Sequence, residues 1–250
     1  VGIGNQAFKA LGTSFCLEHY LNSPGNFTAS KLRWVRENEP EIFSQIDKIM
    51  LPGDYIAYRM TGEILTTITG LSEGVFWDFK KNTLAYDLLE YYEIPSRMLP
   101  RVTPVFGMQG KLSADAAHEL GLVAGIPITY RAGDQPNNAL SLNVLKPGEV
   151  AASGGTSGVV YAVTATPVSD PLLRVNSFAH VNYTPENPLT GVLLCINGAG
   201  SAYRWARQAF GKDATYHELE ILAATVDIGS EGLIMLPFGN GAERMLNNQN

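Results

Sequence analysis

Apolar positions along the chain fall into short periodic runs, each broken by proline or glycine. Between residues 27 and 48, Leu32, Trp34 and Val35 mark one side of a helix, with Ser30 placed to cap it. Glu37-Asn38-Glu39-Pro40 breaks that helix, and Glu41 to Ile49 resumes it. Asp54 to Met60 predicts a short helix stopped by Thr61-Gly62. Residues 63–79, rich in threonine, glycine and aromatics, predict extended structure or an ordered loop. Leu84 to Tyr92 predicts an amphipathic helix. Ala114 to Leu120 predicts another, with Ser113 as its cap and Gly121 as its stop.

The pattern then changes character. Ile126 to Tyr130 predicts a buried strand feeding a sharp turn at Ala132-Gly133-Asp134, and Asn137 to Val144 predicts a helix. Val150–Ser153 and Val159–Val163 predict a hairpin with a glycine-rich tip. Residues 164–190 carry prolines and asparagines at turn-like positions and predict a looping insert. Val192–Asn197 predicts a strand, Ser201–Phe210 and Leu219–Val226 predict helices, and Gly232–Phe238 predicts a last strand. Helices dominate before about residue 130, and strands alternate with helices after it. That shift places a domain boundary there, within an α/β chain.

Composition narrows the classes. The 250 residues are 45% hydrophobic and 17% charged, enough apolar material for a sizeable core. The net charge of -6 argues against a nucleic-acid or anionic-membrane partner, since both reward a basic face. It leaves room for a small anion held by local amides. No apolar run approaches the ~18 residues of a membrane span, and no signal peptide is apparent. Cys16 and Cys195 are too few and too distant for a disulfide framework, so both are expected as free thiols. His19, His118, His180 and His217 lack metal-ligand spacing. The chain starts at Val1 without a methionine and ends on Asn247-Asn-Gln-Asn250, so it reads as a piece of a longer protein.

Four segments could carry chemistry. At Gly154-Gly-Thr-Ser-Gly158, glycines let the backbone approach an anion and two hydroxyls add donors; an ordinary β-turn is the plain alternative. Asp134 stands where a strand ends and a turn begins, a place where ligands gather in α/β sheets. Next to it, Gln135, Asn137 and Asn138 can all bond hydroxyls. An aspartate there could accept the proton of an attacking alcohol, or simply cap the following helix. Gly198-Ala-Gly200 opens a helix whose free amides could face an anion, with Arg204 and Arg207 close behind. Asn26 could bond a sugar hydroxyl, Trp34 reads as core, and Lys31 is either a buried paired group or a surface charge.

The order of these segments is more telling than any one of them. Phe27-Thr-Ala-Ser-Lys-Leu-Arg-Trp-Val-Arg-Glu-Asn38-Glu-Pro resembles the N-terminal signature of the FGGY family of carbohydrate kinases. Leu51-Pro-Gly-Asp-Tyr-Ile56, Tyr58-Arg-Met-Thr-Gly62, Ala132-Gly-Asp-Gln135, Gly155-Thr-Ser-Gly158 and Gly232-Leu-Ile-Met-Leu-Pro237 follow in that family's order. Gly241-Ala-Glu-Arg244 is similar to its Gly-Glu-Arg element with one residue inserted.

The resemblance implies an actin-like, ribonuclease-H-like two-domain fold, incomplete here at both ends. Residues 1–130 would be the latter part of the sugar-binding N-terminal domain. Residues 131–250 would be the first part of the C-terminal domain, which carries the catalytic aspartate and the nucleotide phosphates. The implied reaction is ATP- and Mg²⁺-dependent phosphorylation of a ketopentose, D-xylulose first, in a cytoplasmic enzyme, with a homodimer left open. Asp134 would be the general base, with Asn26, Asp134 and Gln135 on the substrate. Gly155, Thr156, Ser157, Gly158, Gly200 and Arg204 would line the nucleotide. Glycerol, gluconate, ribulose or another polyol stand as alternative substrates. A truncated, non-catalytic sugar-binding piece is the alternative of another class. The family's upstream Asp-x-Gly hairpin and its adenine loop are absent, so the chain is expected to be inactive by itself.

Overall fold

The computed structural model of the protein describes residues 1–211 and 213–236. α1 (Gly2–Leu11) and α2 (Thr13–His19) lead into α3 (Thr28–Asn38) and α4 (Pro40–Gln45), the expected helix pair. Pro40 opens α4 at its first position, where a missing N–H leaves no bond unmade. Ser30 lies inside the first turn of α3 and is not its cap, which is Phe27. Its hydroxyl instead donates to the Pro24 carbonyl at 2.9 Å and shares a 2.7 Å bond with the Tyr92 hydroxyl.

α5 (Pro52–Thr61) starts on a proline and ends on Gly62, whose φ of 77° only glycine adopts without strain. β1 (Leu65–Thr66) and α6 (Ile68–Glu73) follow, so the segment expected to be extended holds a helix as well. Its residues are poor helix formers, but the Thr67 hydroxyl accepts from the Gly70 amide and Leu71 is buried. Capping and burial together outweigh propensity there. β2 (Trp77–Asp78), β3 (Thr83–Leu84) and α7 (Tyr86–Tyr92) complete this part.

β4 (Arg101–Val102) pairs parallel with β1, and β5 (Phe106–Lys111) pairs antiparallel with β6 (Pro127–Tyr130) across an irregular register. Between them, α8 (Ala114–Leu120) has the predicted ends: the Ser113 hydroxyl accepts from the Ala116 amide, and Gly121 turns left-handed. β6 was expected to be buried, yet its residues alternate between exposed and half-buried, because it belongs to a two-stranded ribbon.

α9 (Asp134–Ser141) precedes a four-stranded antiparallel sheet in the order β7-β8-β10-β9. These strands are β7 (Val150–Gly154), β8 (Gly158–Thr164), β9 (Asn176–Ala179) and β10 (Thr190–Ile196). β9 lies inside the segment expected to loop. α10 (Gly200–Phe210) and α11 (Tyr216–Ala223) follow, the latter with Thr215 and Glu218 bonding each other's backbone amides. Residues 233–236 form no strand, having no partner strand among the described residues. Pro237, Phe238 and the Gly241–Arg244 element lie outside the described residues.

The largest core gathers Ala7, Cys16 and Tyr20 from the first helices, Leu32 from α3, Leu71 from α6, and Leu88, Leu89 and Tyr92 from α7. Each such large side chain, once sealed from water, contributes about 1.5–3 kcal/mol before entropy is charged. Ala179 and Tyr183, from the second half of the chain, belong to this same core. The β9 segment is therefore anchored on the helical part. The Ser177 amide donates to Asn22 Oδ1, Asn22 Nδ2 donates to the Ser177 carbonyl, and the Ala179 amide donates to Ser72 Oγ. A second, smaller core of Ala139, Ala151, Tyr161, Val163 and Leu189 joins α9 to the sheet. Among the described residues no helix is long and apolar enough to cross a membrane.

Candidate active site

Two elements that the sheet does not contain bring the site together: the Leu51–Asp54 start of α5 and the Arg131–Asp134 turn before α9. Between them lies a cavity of about 460 Å³. Thr28, Leu51, Pro52, Gly53 and Asp54 form one wall, Thr67, Gly70 and Glu73 of the α6 segment another, and Arg131 to Asp134 with Asn137 the third.

Asp134 is exposed at the first position of α9, with Gly133 as the cap residue. Its carboxylate makes no capping bond to the helix; among the described residues it accepts only from Gln135 Nε2, at 3.4 Å. The plain alternative, a helix-capping aspartate, is therefore not what the geometry shows. Gln135 is half-buried beside it, and Asn137 Oδ1 accepts from the Tyr130 hydroxyl at 2.8 Å.

Behind Asp134 sit a buried acid and a buried base. Arg131 is 8% exposed and Asp54 5% exposed. Arg131 Nε lies 3.2 Å from Asp54 Oδ1, close enough for an ionic contact but not aligned as a hydrogen bond. Asp54 Oδ2 accepts from the Thr66 hydroxyl at 2.9 Å and from the Leu51 amide at 3.3 Å. Burial pushes the Asp54 carboxyl above its ordinary range, against the pull of Arg131, Thr66 and Leu51. Burial likewise lowers Arg131, against the pull of Asp54.

Glu73, at the end of α6, was not singled out from the sequence. Its carboxyl lies so close to Gly133 that a Cβ there would fall 1.8 Å from Oε1, so that glycine is dictated by close approach. Burial, then Asp134, then Asp54 push the Glu73 carboxyl up to about 8. It lay within a segment read as loop, and its partner is Gly133, so no local pattern could mark it.

The phosphate-side candidates assemble separately. Gly154 pairs with Gly158 across the hairpin, and the Gly155 amide donates to the Ser157 carbonyl. The first amides of α10 are already spent. Gly200 N–H donates to Gly155 O at 2.9 Å and Ser201 N–H to Thr156 O at 3.2 Å. A Cβ on Gly200 would lie 2.5 Å from the Gly155 oxygen, so glycine is required at this joint. The helix start therefore clips the hairpin and does not offer those two amides to an anion. What faces outward is the tip itself, with Gly154, Gly155 and Thr156 exposed and Ser157 half-buried, and Arg204 exposed on α10.

Asn26 is not brought to Asp134. It is exposed on a second cavity of about 490 Å³ with Val1, Lys31 and Trp34, while Thr28, two residues on, reaches the Asp134 cavity. Trp34, expected in the core, is 48% exposed, and Lys31 is a surface charge. Cys16 and Cys195 are free thiols.

This helix-and-sheet arrangement is the actin-like fold of two-domain sugar kinases. Its backbone superposes on a xylulose kinase from Rhodospirillum rubrum with a TM-score of 0.83 and 28% identity, covering 95% of this chain and 48% of that one. A gluconate kinase from Lactobacillus acidophilus, 24% identical with a TM-score of 0.84, shares the fold. Residues 19–141 match the N-terminal domain of the FGGY family of carbohydrate kinases. Xylulose kinase from Escherichia coli (strain K12) is 32% identical over 229 residues, 91% of this chain and 46% of that protein. The Lactococcus lactis xylulose kinase is 30% identical over 213 residues, 85% of this chain and 41% of that protein. The chain thus spans less than half the length of these curated relatives.

Proposed function

We propose that the complete protein transfers the terminal phosphoryl group of ATP to a hydroxyl of a ketopentose, D-xylulose first, with Asp134 as general base. One observation carries this reading: the Asp134 carboxylate is left uncommitted by its own helix and faces a cavity of sugar size. A positioned carboxylate that takes the hydroxyl proton as attack proceeds contributes about 10²–10⁴-fold in rate. Asn137 supplies a hydroxyl-bonding group on the same cavity, and Gln135, next in the helix, reaches the Asp134 carboxylate. The names of the relatives support xylulose over glycerol or gluconate as the substrate.

The residues present fit the phosphates of a nucleotide. At Gly154 a Cβ would meet nothing within 4 Å, so the bare backbone of the tip is open to a ligand, and the Thr156 and Ser157 hydroxyls flank it. Arg204 adds a positive charge on the same side. Mg²⁺ carried with the phosphates would neutralise charge developing on the transferred group, and such an ion needs only one or two protein carboxylates. The protein's own residues hold the sugar, accept its proton at Asp134, and exclude water as the two sides close. We keep the division near residue 130 as part of this proposal, with the sugar side before it and the nucleotide side after it.

The test is Asp134→Asn in the complete protein, followed by a coupled assay of ADP release with D-xylulose. Turnover should fall by about 10²–10⁴-fold with little change in thermal stability. Near-normal turnover would remove Asp134 from the role of base.

A further inference from the structure

Glu73 is the one cavity acid that no role above uses. Its side chain reaches the cavity because Gly133, the residue before Asp134, has no side chain to exclude it. Its Oε1 is sealed from solvent and has no hydrogen-bond partner among the described residues. A sealed carboxyl oxygen with no donor to satisfy it disfavours the ionised form of this group, whose side chain lines the ligand cavity.

The groups facing it are Asp54 from α5, Arg131 from the turn before α9, Asp134 from α9 and the buried Tyr161 hydroxyl of β8. Arg131 is the only cation among them, and it is paired with Asp54. Three acids and one committed guanidinium leave Glu73 without a counter-ion.

Resting on the sugar-kinase reading above, we infer that Glu73 is a substrate-binding and specificity-determining residue whose carboxyl O–H donates a hydrogen bond to the carbonyl oxygen of the ketose. The chemistry of the acceptor supports this. When the terminal hydroxyl of a 2-ketopentose is the nucleophile, that oxygen cannot also be closing a furanose ring, so the reacting sugar is open-chain with a free ketone. A ketone oxygen accepts hydrogen bonds and cannot give one. A site that reads it must supply a donor, and an ionised carboxylate cannot. The protonated form of Glu73 is the one that burial and its two acidic neighbours favour up to about pH 8. Above that pH the carboxylate can only accept, and it repels the ketone.

The experiment compares D-xylulose with the alditols obtained by reducing its ketone, whose hydroxyl can itself donate. The complete protein, Glu73→Gln and Glu73→Ala are assayed by ADP release on both sides of pH 8. In the unsubstituted protein, KM for the ketose should rise about tenfold above pH 8, the loss of one well-placed hydrogen bond, while KM for the alditols moves less. Glu73→Ala should raise the ketose KM about tenfold on both sides of that pH and erase the preference over the alditols. Glu73→Gln keeps an N–H donor at every pH, so it should restore the preference and abolish the alkaline rise. A packing role alone would lower thermal stability without flattening a KM profile.

An alkaline rise that survives Glu73→Gln overturns the inference, as does a ketose preference that survives Glu73→Ala. Should Glu73→Ala fail to fold, the Glu73→Gln profile decides. Complete inactivity of the unsubstituted protein on every sugar would overturn the sugar-kinase reading and this inference together. An active protein with an unmoved preference overturns this one alone.

Discussion

Replacing Arg131 with methionine puts the electrostatics of the cavity wall to the test. The substitution keeps much of the apolar stem that packs against Gly53 and deletes the charge. The lost contact is Nε to Asp54 Oδ1 at 3.2 Å, between side chains 7% and 6% exposed. At an effective dielectric of about 20 the pair attraction is about 5 kcal/mol, and breaking one side of a buried pair costs about 3–5 kcal/mol because the other charge is stranded. The Thr66 and Leu51 bonds to Oδ2 remain, so the lower end of that range, about 3 kcal/mol, is expected in urea denaturation near pH 8.

The pH dependence gives the sharper test. Asp54 is already raised above its ordinary value by burial, so it contributes most to stability when protonated, and stability falls as pH climbs through its folded-state value. Removing Arg131 raises Asp54 further, so the cost of Arg131→Met should shrink on acidification toward pH 5. Adding Asp54→Asn should recover part of the loss at pH 8, since no charge is then left stranded. A cost under about 1 kcal/mol at pH 8, or one that does not change with pH, would show that the ion pair is not what holds this wall.

Two further substitutions probe close approaches that only the folded chain creates. Gly133→Ala, which places a Cβ 1.8 Å from Glu73 Oε1, should cost about 1–3 kcal/mol in chemical denaturation, and Glu73→Ala in the same chain should relieve most of it; additive costs would mean the two do not touch. Asn22→Ala strands both backbone groups of Ser177, which is 1% exposed, and should cost about 2–4 kcal/mol by thermal denaturation, with faster hydrogen exchange at the Ser177 amide; a loss below about 0.5 kcal/mol would show that β9 is held by packing alone.

What the sequence could disclose follows from how local each cause is. α8 was legible to the residue because Ser113 and Gly121 act on their own helix ends. α5 was legible through Gly62 for the same reason. α6 was not, because Thr67, Thr69 and Gly70 argue against a helix locally, and what stabilises it is burial against β9, more than a hundred residues away. β9 was invisible in turn. Four residues among prolines and asparagines make a strand only because β10 pairs with them and Asn22 holds their backbone. At the site, motif order placed the turn that carries Asp134 and the glycine-rich hairpin, and the structure builds both elements. Glu73 was not, since its environment is created by Gly133 and Asp54, each far from it in the chain. Asn26, expected beside Asp134 from its motif, lines a different cavity in the fold, a placement that no local pattern indicates.

On the proposed sugar-kinase reading, the charges on the two sides of the site would keep sugar and nucleotide from competing for one place. A phosphate group and an uncharged sugar make opposite demands on their surroundings. The Asp134 cavity presents the Asp134 carboxylate, an Asp54 already paired with Arg131 and a Glu73 held protonated by burial, a lining with no free cation for a phosphate and with groups that suit hydroxyl and carbonyl oxygens. The hairpin from Val150 to Gly158 carries no charged residue at all, offers bare glycine backbone and hydroxyls, and has Arg204 exposed on the helix clipped to it. On that reading an anion would be favoured at the hairpin over the Asp134 cavity. The clip between Gly155 and Gly200 fixes the tip to α10 at the cost of that helix's two leading amides. If the hairpin holds the nucleotide as proposed, the donors for phosphate would come from the tip and not from the helix start, so nucleotide affinity should depend on Thr156 and Ser157, a loss on substituting either being the expected result.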